Sequence, residues 1–283
     1  MLVNTFIVGA GKSGTSWINS CFIEHPDIFV SYVKENNFFS SHYEKGIDFY
    51  KKNFLNVANE KIIADVSPQY MYHEKVAERI HNYNSKAKIL FVLRNPIDRA
   101  FSHFKMERRY GNLSSNITYE ILNNKTSLSK QILEMGMYGK HILRYQNLFP
   151  SNQIHYFYYD DLKKNPKKFL KEIFSTLSVD KTFIPSITNT TYHVTRNRPR
   201  NILMYRLSVY VYNNLFLLLK SIKAEFILEY LRKNGFFNFI QQLNTSNKVE
   251  KLTDYDREQI AHFYKNDIEL LKKIIGNDRI NWK

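Results

Sequence analysis

A chain of 283 residues, 43% hydrophobic and 24% charged, can bury one large core and is too apolar to remain disordered. With 41 basic residues against 26 acidic ones the formal charge is +15, which favours anionic partners: nucleotides, acidic glycans, nucleic acid or anionic lipid surfaces. The single cysteine, Cys21, excludes an internal disulfide, and no His/Cys cluster has the spacing of a zinc site, so no metal is expected.

The chain enters an apolar run almost at once, without the basic n-region, apolar stretch and cleavage site of a signal peptide. A reducing, cytoplasmic location is the expectation. VNTFIV (3–8) predicts a buried strand, followed by a glycine-bearing loop and a helix from about Thr15 to His25. IFVS (28–31) and KIIAD (61–65) predict a second and third strand. AKILFVL (87–93) is the strongest, leading through Arg94-Asn95-Pro96 into the helical pattern IDRAFSHFKMERRYG. IHYFYY (154–159) is a fifth, ending in Asp160-Asp161 and another helix. Short β-rich runs alternating with longer helical ones predict an α/β fold, a central parallel sheet flanked by helices in three layers. Ligands bind such sheets beyond the carboxyl ends of the strands, where the glycines, Asn95-Pro96 and the Asp pair all fall.

Past Pro185 the pattern changes to the arginine-bearing stretch NTTYHVTRNRPRN (189–201) and then to aromatic-rich helical sequence through about residue 243. Its most apolar part, LSVYVYNNLFLLL (207–219), is bracketed by Arg206 and Lys220 and is too short to span a bilayer; peripheral membrane contact stays open for 202–240. At the end, Thr253 and Asp256 have capping-box spacing, and Ile260, Phe263, Ile268, Leu271 and Ile275 predict the apolar face of a docking helix. One domain, 1–283, is expected: an α/β core (1–185), a basic loop and helical cap (186–250), and a C-terminal helix on the core (251–283).

The chemistry concentrates in two segments. In FIVGAGKSGTSWI (6–18) a strand ends in glycines, a lysine and small hydroxyl residues. Amides turning into a helix N-terminus beside Lys12 make an anion site, although a tight turn with a solvent lysine would read the same way. It is not the nucleoside-triphosphate loop G-x-x-x-x-G-K-[ST], because Phe6 stands where its first glycine belongs. In FVLRNPIDRAFSHF, Arg94 ends a strand and Ser102 lies about two turns into the following helix, so both could reach one phosphate. Taken alone, the pair could equally be a surface ion pair and neutral filler.

Together these segments resemble the two nucleotide-binding motifs of the sulfotransferase family, which uses 3′-phosphoadenosine 5′-phosphosulfate (PAPS). EHPDIFVS, YGKHILRYQNLFP, IHYFYYDDLKKNPKKFLKEIFSTLSVD and the terminal NWK are similar to bacterial members. The resemblance implies a P-loop-like fold and a first loop of Gly11, Lys12, Ser13, Gly14, Thr15 and Ser16 holding the 5′-phosphosulfate. It implies Arg94 and Ser102 on the 3′-phosphate, Lys12 stabilising the leaving oxygen, no metal requirement, and adenosine 3′,5′-bisphosphate (PAP) as product. VKENNFF (33–39) is similar to the E-x-x-F-F segment of glycan sulfotransferases, which implies Glu35 as general base; the residues alone also allow a solvated carboxylate paired with Lys34. Cytosolic small-molecule members use a histidine, which keeps His42 and His103 as weaker candidates.

One departure stands out: animal glycan sulfotransferases carry a second lysine where ADVSPQY (64–70) has Val66. Asp65 and Ser67 beside it could position the acceptor or Lys12, or cap a turn. Arg196, Arg198 and Arg200 occupy the place of a basic loop that closes on the nucleotide, and are assigned to the 3′-phosphate or to an anionic acceptor, a solvated loop being the alternative. The aromatic residues from Tyr205 to Phe239 could line an acceptor cleft, rest on a membrane or fill a core.

The expectation is in-line transfer of a sulfuryl group to an acceptor hydroxyl, on a carbohydrate or other secondary metabolite, with the net charge pointing weakly to an acidic glycan. Two alternatives are a P-loop nucleotide or small-molecule kinase, with the Asp of KIIAD directed at magnesium, and a non-enzymatic basic protein that binds polyanions. Nucleic acid is not expected as a partner, because the basic residues are spread along the chain. Acceptor and oligomeric state are not legible in the sequence.

Overall fold

The computed structural model describes residues 2–113, 117, 126–189, 201, 203, 204, 207, 210, 211, 214, 251–276, 280 and 282. β1 (Thr5–Gly9) leads into α1 (Thr15–Glu24) and then β2 (Ile28–Val30). Short helices α2 (Phe38–Ser41) and α3 (Ile47–Lys51) precede β3 (Ile62–Val66), and α4 (Val76–Tyr83) precedes β4 (Lys88–Leu93). Then come α5 (Pro96–Tyr110), α6 (Ser127–Glu134), α7 (Tyr138–Gln146), β5 (Ile154–Tyr158), α8 (Tyr159–Lys164), α9 (Pro166–Leu177) and α10 (Asp254–Ile275).

The five strands form one parallel sheet in the order β2-β3-β1-β4-β5, with Ile7 beside both Val66 and Leu90. Every residue of β1 and β3 is buried, as expected of strands covered on both faces by helices. Successive side chains take opposite faces. Phe6 and Val8 join Phe91, Tyr138, Tyr145 and Tyr264 in one layer, whereas Ile7 joins Trp17, Phe22, Leu90, Phe169 and Phe174 in the other. The predicted three-layer arrangement is therefore observed, and the five predicted strands agree with it to within two residues at each end.

Local chemistry explains where the helices begin. Asn95 caps α5, its Oδ1 accepting from the Ile97 amide at 2.9 Å with Pro96 in the first turn, and Asn165 with Pro166 repeats the device at α9. At α10 the predicted capping box is present in full: Thr253 Oγ1 accepts from the Asp256 amide and Asp256 Oδ2 from the Thr253 amide. One residue of its predicted apolar face departs. Phe263 is 37% exposed, and Tyr264 takes the core position, donating to the Leu133 carbonyl at 2.8 Å. The buried stripe runs 260, 264, 267, 268 and 271, a straight helical row that residue 263 misses. Asp267 in that row accepts from the Gly139 and Lys140 amides at the start of α7, which fixes α10 to the core.

Because β1 lies between β3 and β4, the loops after these strands and after neighbouring β2 meet at one edge of the sheet. The arginines at 196, 198 and 200, most of the aromatic segment 205–239, and two of the three residues of the terminal NWK lie outside the described residues.

Candidate active site

The chain leaves β1 through a turn that only part of the sequence can make. Lys12 has φ 71 and Gly14 φ 87, both in the left-handed region. At Gly14 a Cβ would stand 2.6 Å from a Leu162 methyl carbon, so close packing against α8 and backbone conformation both demand glycine. Gly14 is also the N-cap of α1 and offers no side chain to the amides of Thr15 and Ser16, while the Trp17 amide already turns back to the Gly14 carbonyl at 3.0 Å. Ser13 is fully buried, and its Oγ has no hydrogen-bond partner among the described residues. A buried hydroxyl left in that state is costly. Gly11 differs from the rest of the loop: its N–H donates to Tyr72 Oη at 2.7 Å, so it shapes the turn rather than presenting a free amide.

Lys12 reaches across to α5, its Nζ 3.3 Å from Met106 Sδ. Burial pulls its ammonium below the usual lysine value and the Arg94 guanidinium adds to that, while Glu107 and Glu35 oppose it. Arg94, immediately after β4, donates from Nη1 to the Lys12 carbonyl at 2.9 Å and lies over the Tyr159 ring at 4.6 Å. Ser102 is buried on α5 four residues before Met106, hence on the same helical face. The structure thus brings Lys12, Arg94 and the Ser102 face of α5 together.

Glu35 follows β2 with φ 56, again left-handed. Its Oε1 is 3.1 Å from Lys34 Nζ, and the same ammonium donates to Ser16 Oγ at 2.6 Å. The Lys34 pairing left open by the sequence is present, but Lys34 is shared with the first loop. Glu35 is thereby held beside the turn after β1, with a side chain 34% exposed.

The histidine candidates sit differently. His103 is on α5, 3.4 Å from Glu107 and within 3.4 Å of Arg99; burial lowers its pKa against the Glu107 hydrogen bond, which raises it. His42 ends α2 and packs edge-on against Phe49. Asp65 requires a correction. Its carboxyl is fully buried and accepts from Ser67 Oγ (2.7 Å), Tyr50 Oη (2.9 Å) and Tyr70 Oη (3.0 Å), so it touches neither Lys12 nor solvent. The same burial removes the acidic residue that a magnesium-dependent kinase reading assigned to this strand. Among the described residues no cluster of three or more His, Cys, Asp or Glu could hold a metal ion.

Sequence reading missed Tyr72, Tyr159 and Met106, which approach the loop from elements distant in the chain and carry no local signal. It named Lys34 only as a partner of Glu35; its contact with Ser16 needs the fold.

The sequence profile described as the sulfotransferase domain matches residues 3–210. Curated relatives include the membrane-associated sulfotransferase kil1 of Dictyostelium discoideum, 32% identical over 42% of this chain and 26% of its own length. The human bifunctional heparan sulfate N-deacetylase/N-sulfotransferase 2 is 30% identical over 61% of this chain and 22% of its length, and mouse heparan sulfate glucosamine 3-O-sulfotransferase 5 is 29% identical over 54% and 47%. The matched segment thus spans less than half of each of these relatives. A solved sulfotransferase from Alicyclobacillus acidocaldarius superposes with a TM-score of 0.71 at 20% identity, covering 100% of this chain and 99% of that one, which supports the shared fold. With a profile match over most of its length, the chain belongs to the sulfotransferase family.

Proposed function

We propose that this protein transfers a sulfuryl group from PAPS to a hydroxyl of a carbohydrate or other secondary metabolite, with Glu35 as general base. One observation carries the reading: Lys34 Nζ joins Ser16 Oγ of the first loop to the Glu35 carboxylate, at 2.6 and 3.1 Å, so a base candidate stands beside the anion turn.

The residues fit the donor. The partnerless Ser13 hydroxyl and the uncapped first turn of α1 suit phosphate oxygens, and Lys12 provides the charge that neutralises them. PAPS supplies the sulfuryl group and leaves as PAP. Lys12 counters the charge that grows on the departing 5′-phosphate oxygen, while the amides and side chains of Ser13, Gly14, Thr15 and Ser16 hold that phosphate still. Arg94 and Ser102 hold the 3′-phosphate, assisted by Arg196 and Arg198. Lys34 supplies from the β2 side the second cation that Val66, buried in β3, does not. Glu35 accepts the hydroxyl proton as the acceptor attacks. Relatives named for heparan sulfate and a net charge of +15 support an acidic glycan as acceptor.

Thermal unfolding with PAP, and separately with ATP and magnesium, tests the donor assignment. PAP at a hundredfold excess over its Kd should stabilise the fold by about 2.7 kcal/mol. A shift produced by ATP and magnesium and not by PAP would overturn it.

A further inference from the structure

We infer that the buried cluster of Asp65, Tyr50, Tyr70, Ser67 and Asn36 is a positioning device that holds the Glu35 carboxylate in place; this rests on the reading of Glu35 as base.

The backbone around Glu35 is held in an unfavourable shape. Glu35 (φ 56) and Asn37 (φ 51) are both left-handed, and neither is glycine. The left-handed region is disfavoured for a residue with a Cβ, more for Glu than for Asn, and persists where the surroundings over-determine it. Asn36, between them, is buried and supplies that determination. Its Oδ1 accepts from the Phe38 amide (3.0 Å) and from Tyr70 Oη (3.0 Å), and its Nδ2 donates to Ser31 Oγ (3.3 Å), which in turn donates to the Val33 carbonyl (2.9 Å). Because a backbone N–H needs an oxygen opposite it, the Phe38 contact fixes which end of the Asn36 amide faces inward.

Beneath lies the cluster. The Phe39 amide donates to Tyr70 Oη at 3.3 Å, and the Asn37 amide to Ser67 Oγ at 3.5 Å. Ser67, Tyr50 and Tyr70 in turn converge on Asp65. Tyr70 has one proton for two acceptors at 3.0 Å, Asp65 Oδ2 and Asn36 Oδ1, so the carboxyl governs which way that hydroxyl points. Burial raises the Asp65 carboxyl above its ordinary value, against the hydrogen bonds from Ser67 and Tyr50 that lower it. Residues 31 to 39 are therefore tied at Ser31, Val33, Asn36, Asn37, Phe38 and Phe39, and the partly exposed Glu35 side chain is left to meet Lys34 beside the first loop. A general base must lie within hydrogen-bond reach of its proton, and a displacement of about 1 Å can cost roughly a hundredfold in rate.

The test compares Tyr70→Phe and Asn36→Ala with wild type in the full chain. Tyr70→Phe keeps the ring that meets Phe39 edge-on at 5.8 Å and removes only the hydroxyl. Hydrogen–deuterium exchange should accelerate at least about tenfold across 33–38 while 6–18 stays unchanged and PAP still raises the unfolding temperature. With labelled PAPS and an acceptor that wild type sulfates, kcat should fall roughly 10- to 100-fold at constant KM for PAPS. Unchanged exchange across 33–38 in both variants overturns the inference, as does acceleration spread equally over 6–18, which marks general core support, or an unchanged kcat. Failure of the base reading is separate: a Glu35→Gln variant that keeps turnover removes the base whatever the exchange at 33–38 shows.

Discussion

The two halves of the site are built by different means. On the side proposed to hold the donor, β1 runs through a turn into the N-terminus of α1 and β4 into a capped helix, and helix N-terminal amides beside Lys12 and Arg94 suit an anion. On the Glu35 side there is no helix terminus of comparable length. α2 has four residues, and two left-handed residues are held instead by buried side-chain hydrogen bonds from β3 and its following loop. A turn suited to an anion can therefore be encoded in one short segment, whereas the backbone shape around Glu35 draws on residues from three parts of the chain.

The sharpest way to separate the halves is Glu35→Gln. Loss of a general base costs 10²–10⁴-fold, so turnover should fall by about 10³-fold, or about 4 kcal/mol, with PAP affinity intact. Near-normal turnover would return the role to His103, whose ring lies close enough to Lys12 to feel its charge.

The donor side should be the more sensitive to acid. His141 packs edge-on against Tyr72, the residue that holds Gly11, and it is neutral by construction: Nε2 donates to the Glu134 carbonyl (2.8 Å) while Nδ1 accepts from Arg144 (2.7 Å). Burial, with Arg144 beside it, lowers its pKa to about 4. The unfolded chain binds this proton more tightly, so the contribution is intact above the ordinary value of about 6.5 and is lost as pH falls from there towards about 4. The loss is on the order of 3 kcal/mol. Urea unfolding at pH 7 and pH 4.5 should show that slope flattened in His141→Gln; an identical slope would assign the acid sensitivity elsewhere.

The smallest of these effects should fall on the cations. Lys12→Ala and Arg94→Ala each remove charge-assisted contacts worth about 2 kcal/mol, so PAP affinity should weaken roughly 30-fold in each when measured by calorimetry. Equal affinities in both variants and wild type would place the nucleotide elsewhere and dissolve the comparison itself.

How much was legible follows from the range of each signal. The strands were readable because buried parallel strands are continuous apolar runs, and the capping box of α10 because its residues are three apart. Phe263 was misassigned to the core because a row of apolar residues leaves the exact angle of the stripe open, and an amphipathic tyrosine, Tyr264, could fill it with its hydroxyl on a carbonyl. Asp65 misled for a related reason. An acidic residue at a strand end reads as ligand-facing, while the three hydroxyls that enclose it come from residues 50, 67 and 70 and gather only on folding.

By itself the sequence determined the parallel α/β arrangement, the glycine-bearing turn after β1 and the capped start of α5, since those rest on periodicity, glycine chemistry and short spacings. Tertiary structure alone decided that Lys34 joins Ser16 to Glu35, that Tyr72 takes the Gly11 amide, and that Asp65 faces inward beneath Asn36. Each of these is a contact between distant segments, whose geometry arises from packing around the sheet rather than from any local preference of the chain.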